Sequence, residues 1–197
     1  ARECEPLVRE ARAQGVASHM LIRILPSPHK GAGVTELGLD FGAAFTDLAT
    51  RHGWAGLHVD DEMDDCPRRS WSEWLSWLAM MNALAGQLHS QGHLLTAAIQ
   101  SLACAGHEDE LLALLGKSAV DTWIEMDTYY GNLGRFLHQL QYYYGHAPLQ
   151  QLGVGVYPTG YPNHTRTEVL ARLCLVDRWP GLKLVSTFRL PFDNPHW

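Results

Sequence analysis

The segment Gly56-Leu57-His58-Val59-Asp60-Asp61-Glu62 puts acids where an apolar, alternating run ends. On an extended strand Asp60 and Glu62 share one face, and Asp61 points the other way. Two carboxylates on one face repel each other's charge. That raises one pKa and keeps that group protonated, ready to act as a general acid. The competing reading is a solvated acidic turn, because Asp64 and Asp65 follow closely. A second pair, Glu125 and Asp127, shares a face of a later predicted strand with Trp123 below it. All four carboxylates together form an oxygen-rich set of the kind a hard divalent cation takes. His58 falls on the Asp60 face, where it either hydrogen-bonds Asp60 or fills the floor beneath it.

These acids need elements to hold them, and the chain supplies an alternation of helix and strand. Helices are predicted over 3–14, 36–52, from the Ser70/Glu73 capping box to Gly92, 108–116, 133–144 and 166–178. Strands are predicted at His19–Leu25, Gly56–Glu62, Leu94–Gln100, Thr122–Thr128, Leu152–Tyr157 and Leu182–Phe188. Their centres recur every 30–38 residues or so, the step of a βα unit, which implies a mainly parallel sheet. An eight-unit α/β barrel takes about 250 residues. Six units at that rate are expected to be an incomplete TIM-type (β/α) barrel lacking its first two strands. The chain is then a single barrel domain over 1–197, or the C-terminal three-quarters of one. The rival architecture is an open doubly wound sheet, which also gathers ligands at the strands' carboxyl ends.

Composition narrows the function classes. The formal net charge is -6, without the basic stripe of a nucleic-acid binder. No apolar run is long enough to span a bilayer. Neither GxGxxG nor a P-loop occurs, so no nucleotide cofactor is expected. The cysteines Cys4, Cys66, Cys104 and Cys174 form no CxxC pair, which argues against structural zinc. Cys104 and Cys174 sit among apolar residues and are expected to be buried thiols. The sequon at Asn163 leans the compartment toward secretion without fixing it.

With these residues laid out, the strand series resembles the chitinase-like family 18 of glycoside hydrolases. Its signature is a strand of the form DGxDxDxE after a helix, with the last Glu as general acid. Ala55 through Glu62 lies over that signature without a gap, with Ala55 and His58 in place of its first two aspartates. Leu94–Ala98 is similar to the family's fifth strand. Ile124–Gly131 resembles the sixth, usually M-x-Y-D, with Tyr129 on the tyrosine, Asp127 for the methionine and Tyr130 for the aspartate. Leu152–Pro158 looks like the seventh. The last strand lacks the tryptophan that floors the sugar site, and Phe188 is the nearest aromatic.

The resemblance implies a glycoside hydrolase acting on N-acetylhexosamine-containing glycans. Glu62 would be the acid, Asp60 its neighbour that orients the substrate's acetamido nucleophile, and Tyr129 a third catalytic residue. Asp127, Glu125, Tyr130, Tyr157 and Phe188 would line the glycan site. Trp71 and Trp74, near the same rim, are expected to serve helix packing. This reading needs no cofactor and no metal. It expects a glycan or oligosaccharide partner, and a partner chain or segment that completes the barrel. Two alternatives stand beside it: a catalytically inactive glycan-binding or structural barrel subunit, and a metal-dependent hydrolase on Asp60, Glu62, Glu125 and Asp127.

Overall fold

The computed structural model describes residues 5–15, 17–24, 34–61, 70–99, 107–129, 132–146, 152–156, 165–176, 178 and 184–187. Six strands and six helices alternate through them. The strands are β1 (His19–Ile24), β2 (Gly56–Asp61), β3 (Leu94–Ile99), β4 (Thr122–Glu125), β5 (Leu152–Val156) and β6 (Leu184–Thr187). The helices are α1 (Glu5–Ala13), α2 (Val34–His52), α3 (Trp71–His89), α4 (Glu108–Leu115), α5 (Leu133–His146) and α6 (Arg166–Val176). The sheet order is β1-β2-β3-β4-β5-β6, and each neighbouring pair is parallel. A strand order that never reverses excludes the doubly wound alternative, which needs a switch point.

Alternation along the strands sorts the side chains onto two faces. Leu57, Val59, Leu95, Ala97, Ile99 and Trp123 share one buried cluster with residues of α3, α4 and α5, and Phe45 of α2 packs against it. Four successive helices therefore lie on the same face of the sheet. The residues of opposite parity, among them His58, Asp60, Thr96 and Ala98, occupy the other face. That face has its own small apolar cluster of Ala98, Ile124 and Met126. Successive helices gathered on one face of a parallel sheet are what a barrel wall has.

Local chemistry explains the ends of the elements. The predicted capping box holds: the Ser70 amide donates to Glu73 Oε2 at 2.7 Å, and the Glu73 amide donates to Ser70 Oγ at 3.4 Å. A second box begins α6, where the Thr165 amide donates to Glu168 Oε2 at 2.9 Å and the Glu168 amide to Thr165 Oγ1 at 3.3 Å. Its signal, Thr-x-x-Glu, is present in the sequence. Gly92 follows α3 with φ +78°, a left-handed conformation that only glycine takes without strain.

Helices α2 and α3 approach closely because α2 carries glycines where they meet. A Cβ on Gly38 would lie 2.6 Å from the Met80 carbonyl oxygen, and one on Gly42 would lie 2.6 Å from the Gln87 Cβ.

Two expectations are corrected here. The strand predicted over Thr122–Thr128 stops at Glu125, and Met126–Tyr129 turns into a 3-10 helix. Alternation therefore ends between Glu125 and Asp127, and it no longer places them on one face. Trp123 meets the helices: its Nε1 donates to Ser118 Oγ at 2.9 Å, and its ring sits 5.4 Å from that of Trp77. Cys174 is an exposed free thiol, not a buried one. The buried residues of α6 are Val169, Arg172 and Val176. That three- and four-residue spacing turns Cys174 outward.

Candidate active site

Asp60 is the second-last residue of β2, at the carboxyl end of the sheet, on the face away from the helices. It is 7% exposed. In register it stands beside Arg23 of β1 and Ala98 of β3, and Ala98 stands beside Ile124 of β4. At about 4.8 Å per strand, the Asp60 backbone is about 10 Å from that of Ile124. The 3-10 helix containing Asp127 and Tyr129 starts two residues beyond Ile124. The backbone of that turn thus lies at the same end of the sheet as Asp60.

Of the expected site residues, Asp60 alone has a described side chain. Glu62, Tyr130, Tyr157 and Phe188 lie outside the described residues. Glu125, Asp127 and Tyr129 are described in backbone only. Among the described residues, no group of three or more His, Cys, Asp or Glu side chains is arranged to hold a metal ion.

Beneath Asp60 the sequence reading missed a polar cluster that spans three strands. His58 Nδ1 lies 2.8 Å from Thr96 Oγ1, and His19 Nδ1 lies 3.4 Å from the same oxygen. Thr96 Oγ1 also lies 3.5 Å from the Leu57 carbonyl oxygen. His58 thus fills the floor of this face, tied to Thr96. Burial, and then repulsion from His19, lower its pKa from the ordinary 6.5 to about 4. Burial also lowers the pKa of His19, opposed by its hydrogen bond to the Leu57 backbone and by the charge of Asp121. The rings of this floor are therefore uncharged at neutral pH.

Further along the sheet, Arg172 of α6 is fully buried and donates from Nη1 to the Thr128 carbonyl oxygen at 2.8 Å. Its guanidinium also lies 4.8 Å from the centre of the Phe136 ring. This cation holds the turn that follows β4. At the opposite end of the sheet, Asp121 Oδ2 accepts hydrogen bonds from the Leu95 amide and from His89 Nε2, both at 2.8 Å. The expected packing role of Trp74 holds, since it is buried and meets Trp77 edge-on at 5.5 Å. Trp71, half-buried, meets the His107 ring at a tilt of 33° with centroids 4.8 Å apart. No helix among the described residues is long and apolar enough to cross a membrane.

No family model and no curated protein sequence matches the chain. Solved structures do match. The catalytic domain of a family GH18 chitinase from the fern Peteris ryukyuensis superposes with a TM-score of 0.65 at 15% identity, over 93% of this chain and 70% of that one. A chitinase from Chromobacterium violaceum gives 0.58 at 15% identity, over 78% of this chain and 53% of that one. A chitinase-like agglutinin from Robinia pseudoacacia gives 0.50 at 15% identity, over 78% of this chain and 55% of that one. The chain thus spans little more than half the length of two of these three proteins. In architecture it matches the family 18 chitinases and chitinase-like proteins.

Proposed function

We propose that the chain is a glycosidase-like barrel domain acting on N-acetylhexosamine-containing glycans, with Glu62 as general acid and Asp60 as its neighbour. The observation that carries this is the position of Asp60, buried at the carboxyl end of a parallel strand and on the face away from the helices. Barrels of this kind keep their chemistry at that end. A carboxylate kept there by burial and neighbours can orient an acetamido group and hold a proton on an adjacent acid. Tyr129 would complete the catalytic set, and Asp127, Glu125, Tyr130, Tyr157 and Phe188 would line the glycan cleft. The 1–197 segment is then most of one barrel, with a further segment or partner chain supplying the remaining wall beside β1 and β6.

A second reading is a glycan-binding barrel without turnover. The observation favouring it is His58, an imidazole where the resembled signature has an aspartate. The similarity in fold to a chitinase-like agglutinin is in keeping with it. One experiment separates the two. Hydrolysis of a chitin oligosaccharide by the wild-type protein, lost on order of 10²–10⁴-fold in Glu62→Gln with binding retained, supports the enzyme. Binding with no wild-type turnover supports the lectin-like reading.

A further inference from the structure

We infer that strand β1 is held to β2 and β3 by an acid-sensitive latch, in which the His19 and His58 rings share the Thr96 hydroxyl. The inference stands on this cluster and does not need the proposed glycosidase reading. His58 Nδ1 lies 2.8 Å from Thr96 Oγ1, and His19 Nδ1 lies 3.4 Å from the same oxygen. The three side chains come from three adjacent strands. The same hydroxyl donates to the Leu57 carbonyl oxygen at 3.5 Å.

A hydroxyl oxygen can accept from two donors while giving its own hydrogen to a third group, so the arrangement suits two neutral rings. It does not suit two cations. Both Nδ1 atoms lie within 3.4 Å of one oxygen, so a charge on each ring would put like charges about 6 Å apart or less, partly shielded from water. Burial, and then the charge of His19, hold the His58 pKa at about 4, and burial lowers that of His19. Among the described residues, the opposing charge is Asp121, ahead of β4, which favours a protonated His19. Asp121 itself accepts from the Leu95 amide and from His89 Nε2 of α3. The contribution of β3 is the uncharged Thr96. The next titratable positions on this face are Arg23 of β1 and Asp60 of β2, which stand in register with each other.

The strand that yields to such repulsion is β1. Among the described residues it is paired on one side only, with β2, whereas β2 and β3 are paired on both. Leu57, Val59, Leu95, Ala97 and Ile99 anchor β2 and β3 in the helix-packed core, and of the described side chains of β1 only Met20 packs against it. Leu21 of β1 is 59% exposed. Two like charges separate at least cost by moving the strand with the fewest ties, so protonation loosens β1 while β2 and β3 stay in the core. Because β1 flanks the strand that carries Asp60, its release opens the helix-free face from the side.

The closed latch binds protons less readily than the open one, because its rings titrate below the ordinary 6.5. It is therefore complete above about pH 6.5 and loses ground as pH falls toward about 4. Backbone hydrogen exchange, read by mass spectrometry and corrected for the intrinsic rate at each pH, follows this strand by strand. Between about pH 7 and about pH 5, β1 protection is expected to fall about tenfold or more, with β2 and β3 changing by less than about threefold. Proton NMR of the His19 and His58 rings runs in parallel. His19→Gln, His58→Gln and the double variant keep a polar side chain that does not titrate. Each single variant should lose less β1 protection in acid than the wild type, and the double variant should lose none.

Wild-type β1 protection that stays constant over this range, or that falls together with that of β2 and β3, would overturn the inference. So would a fall of wild-type size in the double variant, because the rings would then not be its cause. Thermal melts identify the variants that fold. If the double variant does not, the single variants that fold decide, and a fall of wild-type size in them overturns the inference. If none folds, the wild type decides through its own rings. Loss of β1 protection must then run with their titration, and a loss at a pH where both rings stay neutral overturns the latch.

Discussion

Arg172 of α6 donates from Nη1 to the Thr128 carbonyl oxygen at 2.8 Å, with the arginine fully buried. The two residues are 44 apart in sequence, and the bond ties the turn after β4 to the helix after β5. Removing a buried charged donor leaves a carbonyl without that partner and opens a cavity. Arg172→Ala is expected to lose about 2–4 kcal/mol of stability in a urea titration. A loss under about 1 kcal/mol would mean that water replaces the guanidinium at little cost.

Gly38 is expected to reject even one methyl group. A Cβ there would sit 2.6 Å from the Met80 backbone oxygen, so α2 and α3 must separate. Gly38→Ala should cost about 1–3 kcal/mol in a thermal or urea melt, despite the better helix propensity of alanine. An unchanged or raised melting temperature would show that the helices slide apart freely.

Acid should weaken the fold through its histidines. The folded-state pKa of His58 is about 4 against 6.5 unfolded, and that of His19 is lowered as well. The unfolded chain therefore binds these protons more readily. Stability from the neutral rings is complete above about pH 6.5 and drains away as pH falls toward about 4. For His58, 2.5 units at 1.36 kcal/mol each amounts to about 3 kcal/mol. Urea titrations from pH 7 to 4 measure the slope, and His58→Asn should flatten it. Equal slopes in wild type and variant would remove His58 as the cause.

At the proposed site, Asp60→Asn keeps the shape and removes the charge. If the chain hydrolyses a chitin oligosaccharide, this change should lower kcat by on order of tenfold or more with little effect on binding. An unchanged kcat would exclude Asp60 from the chemistry. Adding a chelator should change nothing under the leading reading, and loss of activity on chelation would revive the metal-dependent alternative.

Much of the fold was legible because its signals are local. Gly53 and Gly92, and the capping box at Ser70, mark helix boundaries within a few residues of the strands they serve. Strand order then followed from the steady βα step, since sequential units pack side by side. The end of β4 was not legible. Met126 and Thr128 are both buried, so the two-residue pattern continues after the backbone has turned into a 3-10 helix. Arg172 gave no warning either, because α6 has leucines on both sides of it and two elements, α5 and β5, separate it from its partner. The acids of β2 could be found from their spacing. The partners of His58 could not, because Thr96 and His19 reach it through the register of neighbouring strands, which one segment does not encode.

The division of each strand between a helix-packed face and a helix-free face also decides which positions are open to redesign. Leu57, Val59, Leu95 and Ala97 each touch the helix layer, so changing one disturbs a shared core. His58, Thr96 and Ala98 alternate with them and do not join that cluster. A combinatorial library limited to those three positions varies the lining beneath and beside Asp60 while the scaffold sequence stays constant. Its members can be ranked by ligand preference among proteins that share one helical shell.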